Sequence, residues 1–270
     1  MGWKNTRKSP PKYLVKDLQE DLKSVGVFIS TANGVFGPKT EKALKLFQWV
    51  CAKMTHCLKD KKHYSRVKTT KILIDGSLNL DTYNELTQWI KDKKEVTGDL
   101  IRISFSDLSN IEASPNFKKI SSAKVFKSEL VISKSAKKLI SDINNKAKNE
   151  SVTIKVNQAF REKSVKLTGA VVTPAKKSQH LVGHAIDCNI VDGDNWNNST
   201  SFKNKKETEG AKKLITALKK QDYRWGGDFT PIDSPDFDLK LDHTTFSYEA
   251  KFFLNQRMIS LNHEIRKEKI

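Results

Sequence analysis

The sequence predicts an α+β protein, with a small three-helix domain followed by a domain that combines a mainly antiparallel sheet with flanking helices. Apolar residues at three- and four-residue spacing between residues 13 and 25 predict an amphipathic helix. Residues 152–156 instead alternate apolar and polar side chains with a period of two, which predicts a strand. A length of 270 residues suggests one large or two small domains.

Composition divides the chain into four parts. A polar and basic tail covers residues 1–12, and the helical domain covers residues 13–95. A linker is predicted over residues 96–118, and the second domain over residues 119–270.

Three helices are predicted in the first domain. The first ends at Gly26, and a turn-rich stretch over residues 31–40 leads into the second. The third begins near Leu80, after a polar insertion between Lys53 and Thr70. The apolar stripes of the three helices consist of Val15, Leu18, Leu22 and Val25, then Ala43, Leu44, Phe47 and Val50, then Leu86, Trp89 and Ile90.

The turns between these helices follow a specific pattern. A leucine–glutamine pair precedes a G-x-F-G-x-x-T turn, a phenylalanine–glutamine pair follows it, and the second half repeats the theme. The matching residues are Leu18, Gln19, Leu22, Gly26, Gly34, Phe36, Gly37, Thr40, Ala43, Phe47, Gln48, Asp75, Gly76, Leu80, Thr82 and Leu86. Over residues 13–91 the chain thereby resembles the peptidoglycan-binding domain found at the ends of many wall hydrolases, which implies wall binding. A plain three-helix packing module is the alternative interpretation.

The second domain mixes helices with strands. A helix is predicted over residues 130–147, and the strand at 152–156 leads to Arg161. A second helix is predicted over residues 209–220, and a third after Tyr248.

One short motif carries chemistry. Residues 178–187 have the sequence S-x-H-x-x-G-x-A-x-D, which places an imidazole and a carboxylate seven residues apart at His180 and Asp187. With His243, far downstream, they form a three-ligand zinc set that leaves a fourth position for water, as catalytic zinc sites do. The side chain of Cys188 would point to the opposite face of a strand from Asp187, which predicts a buried thiol.

Four pieces of sequence occur in a recognisable order. They are F-R at residues 160–161, the S-x-H-x-x-G-x-A-x-D motif, W-G-G-D at residues 225–228, and a late histidine beside an acid. Over roughly residues 125–247 the chain resembles the zinc-dependent D-Ala-D-Ala carboxypeptidases and L-Ala-D-Glu endopeptidases. That family includes vancomycin-resistance carboxypeptidases and phage endolysins. The resemblance implies hydrolysis of a stem-peptide amide bond of peptidoglycan by zinc-activated water.

The same resemblance implies a role for each candidate residue. His180, Asp187 and His243 are the expected zinc ligands. Arg161 is expected to stabilise the developing oxyanion, because a fixed cation in a dry cleft acts where transition-state charge appears. Ser178 is expected to hydrogen-bond the substrate peptide or a ligand.

The general base departs from the family pattern. The family usually places an Asp or Glu three residues before its last histidine, and here that position is Lys240. Asp242 is the favoured replacement, because positions one and three before His243 share a strand face. Asp238 is the alternative, and an inactive enzyme is a third interpretation.

The charge of the chain bears on its partners. A net charge of +18 predicts attraction to polyanions, either nucleic acid or an anionic cell wall. No nucleic-acid-binding motif is present, so peptidoglycan is the expected partner of what is predicted to be a monomer. No apolar run is long enough to span a bilayer.

The N-terminus has no apolar segment typical of a secretory signal peptide. The chain is therefore expected to reach the wall as a phage-type endolysin or as an injected antibacterial effector. An effector would imply a secretion apparatus and an immunity protein as partners. A non-catalytic wall-binding protein is the alternative from another functional class.

Overall fold

The computed structural model describes residues 12–53, 72–118, 120, 126, 128–166 and 175–270. The chain divides into two compact units, unit 1 over Met1–Asp99 and unit 2 over Leu100–Ile270. The predicted insertion lies outside the described residues from residue 54 onward, as does the basic tail up to residue 11. The mixture of helices and sheet confirms the α+β prediction.

Unit 1 contains the three predicted helices. They are α1 (Lys12–Ser24), α2 (Pro38–Lys53) and α3 (Leu80–Lys91). Phe47 of α2 and Trp89 of α3 are fully buried and meet edge to face, with ring centroids 5.2 Å apart. Apart from Ile90, which is only partly buried, the residues of the predicted apolar stripes form the core of this unit.

A buried glutamine organises the turn between α1 and α2. Gln19 Oε1 accepts hydrogen bonds from the backbone N–H groups of Asn33 and Gly34, at 2.8 and 2.9 Å. Gln19 Nε2 donates to the Val35 carbonyl at 3.0 Å and to Thr40 Oγ1 at 2.8 Å. Gln19 Nε2 also donates to Asn33 Oδ1 at 3.1 Å, so one side chain bonds two donors and three acceptors between Asn33 and Thr40.

Gln48 repeats this arrangement for the turn before α3. Its Oε1 accepts from the N–H groups of Asp75 and Gly76, at 3.1 and 2.8 Å. Its Nε2 donates to the Ser77 carbonyl at 2.8 Å and to Thr82 Oγ1 at 3.2 Å. The internal repeat seen in the sequence is therefore a repeat of hydrogen-bonded geometry.

We expect Gln48→Ala to destabilise unit 1 by on the order of 3 kcal/mol, because several buried polar groups of the turn lose their partners together. Denaturant unfolding followed by far-UV circular dichroism measures the loss. Gln88→Ala is the matched control, since Gln88 is exposed on α3 and its side-chain amide donates to Asp92 Oδ1 at 2.9 Å on the surface. Equal effects of the two substitutions would contradict the organising role of Gln48.

Unit 2 contains four helices and nine strands among its described residues. The helices are α4 (Lys137–Asn149), α5 (Ser199–Lys203), α6 (Glu209–Lys219) and α7 (Phe246–Ser260). The strands are β1 (Leu100–Ser104), β2 (Ile111–Ala113), β3 (Glu129–Ser133), β4 (Thr153–Gln158), β5 (Ala185–Asp192), β6 (Asn195–Asn197), β7 (Arg224–Trp225), β8 (Asp236–Asp238) and β9 (Arg266–Lys267).

The strands form two sheets. The smaller has the order β3-β1-β9, and the larger has the order β2-β4-β5-β8-β7, with β6 also paired to β5. Only the β1–β9 and β2–β4 pairs are parallel. The sheets are mainly antiparallel, as predicted.

The predicted linker over residues 96–118 is wrong for most of its length. β1 pairs with β3, and β2 pairs with β4, so both strands belong to unit 2. The physical reason is burial, because Ile101, Ile103 and Ile111 lie in the main core. Short apolar segments that look like a linker are here strands inside the second domain.

The core of unit 2 leaves one face of β5 for polar groups. Ile186, Cys188 and Ile190 point into the core with α4 and α6, and Asp187 points to the opposite face. Cys188 is buried, as the sequence predicted. No helix among the described residues has the length and apolar character needed to cross a membrane.

Candidate metal centre

A short 3-10 helix, Gln179–Val182, presents the first candidate ligand. Ser178 caps it, with Oγ accepting from the His180 N–H at 3.3 Å. Gly183 ends it in the left-handed conformation, at φ 76°. A Cβ at Gly183 would lie 2.5 Å from the backbone nitrogen of Ser133, so the turn requires glycine both for its conformation and for its close approach to β3. These constraints hold His180 in a buried position.

The ring of His180 is oriented by a backbone carbonyl. Its Nδ1 lies 2.8 Å from the Ala159 oxygen. A carbonyl only accepts, so Nδ1 carries a hydrogen and Nε2 is the ring atom left to bind a metal. Histidine ligands of metals are commonly oriented in this way. Nε2 faces Asp187 Oδ1 at 3.4 Å and Asp236 Oδ1 at 3.5 Å.

Strand pairing brings the two carboxylates together. Asp187 of β5 lies directly opposite Asp236 of β8 in the antiparallel register. One donor atom from each of His180, Asp187 and Asp236 lies within 4.8 Å of the others. No other such group of three occurs in the part of the chain that the structure describes. We call these three residues the ligand cluster.

The electrostatics of the ligand cluster favour a cation. Burial raises the pKa of Asp236, and the nearby charge of Asp187 raises it further. Burial works against the imidazolium form of His180, but the two carboxylates outweigh it and raise the pKa of His180 well above its usual value. Two carboxylates held side by side, one buried and one partly buried, repel each other, and a divalent cation between them would reduce that repulsion.

One atom shows that the residues fit a metal. Asp236 Oδ1 is buried and has no hydrogen-bond partner. Buried polar oxygens are normally hydrogen-bonded, and a metal ion is one of the partners that can satisfy them. Imidazole nitrogen and carboxylate oxygens are all accepted ligands of zinc, and three of them leave a fourth position open.

His243, the predicted third ligand, is placed elsewhere. Its Nε2 lies 3.0 Å from Gln179 Nε2, and its ring packs edge to face on Tyr248 with centroids 4.9 Å apart. It lies between β8 and α7, beyond the strand that pairs with β5. Asp236 therefore occupies the third place in the ligand cluster, because β8 carries it opposite Asp187.

The carboxylates of both predicted candidates for the general base are bound to groups outside the ligand cluster. Asp242 is exposed and accepts hydrogen bonds from the N–H and Oγ1 of Thr244, at 2.9 and 2.8 Å. Asp238 is buried and forms a bidentate pair with Arg224, at 2.7 and 2.6 Å. Asp242 shapes the turn before α7, and Asp238 neutralises an arginine.

Arg161 lies beside the ligand cluster. It is buried, and its Nη1 donates to Gln158 Oε1 at 2.7 Å. Burial lowers the pKa of Arg161, while the charges of Asp187 and Asp236 act to raise it. The guanidinium is thus a fixed cation within electrostatic range of both carboxylates.

Ser178 has a structural task in this geometry. Its hydroxyl caps the turn that carries His180, and its carbonyl accepts from Tyr248 Oη at 2.9 Å. The predicted contact between Ser178 and substrate stays a prediction.

Sequence reasoning missed a carboxylate beside the ligand cluster, Asp233. Burial and the charge of Asp187 raise the pKa of Asp233. Its N–H donates to the Gly226 carbonyl at 2.8 Å, and a Cβ on Gly226 would lie 1.8 Å from the Asp233 carbonyl oxygen. The W-G-G-D stretch therefore shapes the loop before β8, and Trp225 Nε1 helps by donating to the Ser234 carbonyl at 2.8 Å. The signal available in the sequence was the three-residue spacing between Asp233 and Asp236.

Comparison with known families supports both domains. Residues 172–239 match the family described as D-alanyl-D-alanine carboxypeptidase. The peptidase resemblance is confirmed. Residues 12–51 match the family described as a peptidoglycan binding domain, which confirms the second resemblance. The comparison with curated proteins finds no match to this chain.

The two matches together support a peptidase that acts on peptidoglycan. The carboxypeptidase match contains the ligand cluster and Asp233, and it ends before Asp242 and His243.

Proposed function

We propose that the chain is a zinc peptidase that cuts a stem-peptide amide bond of peptidoglycan, as a D,D-carboxypeptidase or an L-Ala-D-Glu endopeptidase. The observation that carries the proposal is the ligand cluster, with its unpartnered Asp236 oxygen, inside the segment that matches a carboxypeptidase family. His180, Asp187 and Asp236 would hold the metal.

The chain's own residues supply the remaining chemistry. A zinc ion held by the ligand cluster would polarise an amide carbonyl and lower the pKa of water. Asp233 takes a proton from the attacking water and passes one to the leaving amine, a role suited to a carboxylate whose pKa is raised by burial. Arg161 stabilises negative charge that develops on the carbonyl oxygen.

Asp233 also explains why a lysine, Lys240, stands three residues before His243, where the family pattern would place the acidic base. With Asp236 as the third ligand, the residue three positions earlier is Asp233, a carboxylate. Lys240 is then not the position of the base. The non-catalytic alternative rested on Lys240 and has no other observation in its favour.

Unit 1 would deliver the peptidase to its substrate. Its match to a peptidoglycan binding domain supports wall attachment, and the net charge of +18 favours accumulation on an anionic envelope. We propose action at the cell wall, either as an endolysin or as an injected effector with a secretion apparatus and an immunity protein as partners.

Mass spectrometry of purified muropeptides incubated with the full chain tests the proposal. We expect loss of a terminal D-Ala or a split between L-Ala and D-Glu, and inhibition by a chelator that added zinc reverses. Absence of cleavage of any muropeptide by the zinc-loaded chain would overturn the peptidase proposal. Cleavage that a chelator leaves unchanged would overturn its metal dependence.

A further inference from the structure

A second cluster of reactive side chains lies in unit 2, formed by Ser135, His184, Lys251 and Ser133. We propose that Ser135 is a nucleophile that accepts acyl groups from small activated esters, with His184 as its base. This reactivity is separate from the proposed metal chemistry and uses none of the residues of the ligand cluster.

The central contact joins a hydroxyl to an imidazole. Ser135 Oγ lies 2.8 Å from His184 Nε2, and His184 Nδ1 lies 3.2 Å from the Leu239 carbonyl. The carbonyl can only accept, so Nδ1 carries the hydrogen and Nε2 accepts from the serine hydroxyl. A nucleophile, a base within hydrogen-bond reach and a third group that orients the base are the parts of an activated serine.

A lysine and a second serine complete the cluster. Lys251 Nζ donates to Ser135 Oγ at 3.0 Å and to Ser133 Oγ at 3.2 Å. The two hydroxyls lie 2.7 Å apart, so the Ser133 hydroxyl can donate to Ser135 Oγ while Ser135 donates to His184. Donors directed at Ser135 Oγ would stabilise negative charge on that oxygen.

The position of the cluster suits attack on a ligand from solvent. His184 and Lys251 are 3% and 8% exposed, whereas Ser135 is exposed. The base is therefore buried, and the residue that carries the nucleophilic hydroxyl reaches the surface. Ser135 also lies in the 3-10 turn Lys134–Ala136 that leads directly into α4, where the helix dipole favours negative charge.

In the acyl transfer, Ser135 Oγ forms a bond to the carbonyl carbon of the ester, and its proton moves to His184 Nε2. The bond from that carbon to the leaving oxygen breaks, and the leaving alcohol or phenol takes the proton from His184. Water then releases the acyl group from Ser135 as a carboxylic acid, with His184 again accepting and returning a proton.

The chain offers a matched control in a second Ser-x-Ser pair. Ser104 and Ser106 stand at the start of the 3-10 turn Phe105–Asp107, and their hydroxyls lie 2.8 Å apart. Ser106 is exposed like Ser135. Within the described part of the chain, no histidine or lysine joins this pair, so Ser106 has the same local setting without the base.

Covalent labelling of the full chain tests the proposal. The chain is incubated with a fluorophosphonate probe or p-nitrophenyl acetate in the presence of a chelator, and peptide mapping locates the adduct. We expect an adduct on Ser135, its loss in Ser135→Ala, and its retention in Ser106→Ala. His184→Gln should slow labelling by about 100-fold or more. Labelling of neither serine, or equal labelling of both, would overturn the proposal.

A thiol substitution gives a second test that does not depend on the stability of His184→Gln. Ser135→Cys should react with iodoacetamide at least about 10-fold faster than Ser106→Cys, because a cysteine beside a histidine and a lysine has a larger thiolate fraction. The unsubstituted chain gives the background from its native cysteines. Equal rates for the two variants would mean that the cluster only ties α7 to β3, and would overturn the proposal.

Discussion

Asp236→Ala should reduce zinc affinity by more than roughly 100-fold, because changes to groups around a metal ligand alone cost about 10- to 100-fold. Asp236 contributes a buried oxygen to the ligand cluster, 3.5 Å from His180 Nε2 and without a hydrogen-bond partner, so its removal leaves two of the three donor groups. Isothermal titration of chelator-stripped protein with zinc measures the effect, and muropeptide cleavage should disappear with the metal.

His243→Ala is the control for this prediction. His243 contacts Gln179 and Tyr248 and is not a member of the ligand cluster, so zinc affinity should stay close to that of the unsubstituted chain. Asp236→His should retain zinc, because imidazole nitrogen is also an accepted ligand. Loss of zinc in His243→Ala together with retention in Asp236→Ala would support the ligand set predicted from the sequence.

The features that the sequence predicted well are those encoded over short distances. Helices α1, α2 and α3 follow from apolar spacing within a single segment. The repeated turns follow from Gln19 and Gln48, each placed before a turn whose glycine and threonine it bonds. Each glutamine and the residues that it bonds lie within one short stretch of the sequence, so the local pattern contains all the interacting residues.

The features that were missed depend on pairing between distant segments. β1 is a five-residue apolar stretch whose identity as a strand comes from its partners, β3 and β9. The third member of the ligand cluster was missed for the same reason, because only the β5–β8 register shows that Asp187 faces Asp236. Because the family resemblance implies a histidine as the third zinc ligand, the sequence predicted His243 rather than an aspartate of the acidic loop. The three-residue spacing between Asp233 and Asp236 is present in the sequence. It indicates Asp233 as a candidate base only once Asp236 is known to belong to the ligand cluster.

The second large effect concerns proton transfer rather than metal binding. Asp233→Asn should lower kcat for muropeptide cleavage by about 100- to 10,000-fold, the usual contribution of a general acid–base residue. Zinc affinity should change little, because Asp233 is not a member of the ligand cluster. Steady-state kinetics with purified muropeptides, alongside zinc titration of the same samples, separates the two quantities.

Asp242→Ala is the matched control for Asp233→Asn, since it removes the carboxylate that the sequence favoured as the base. The exposed carboxylate of Asp242 accepts from Thr244 within its own turn, so cleavage should continue at close to the normal rate after its removal. Normal cleavage by Asp233→Asn and loss of cleavage in Asp242→Ala would transfer the role to Asp242. It would also require the turn before α7 to move toward the ligand cluster when substrate binds, because in this structure Asp242 is directed into that turn.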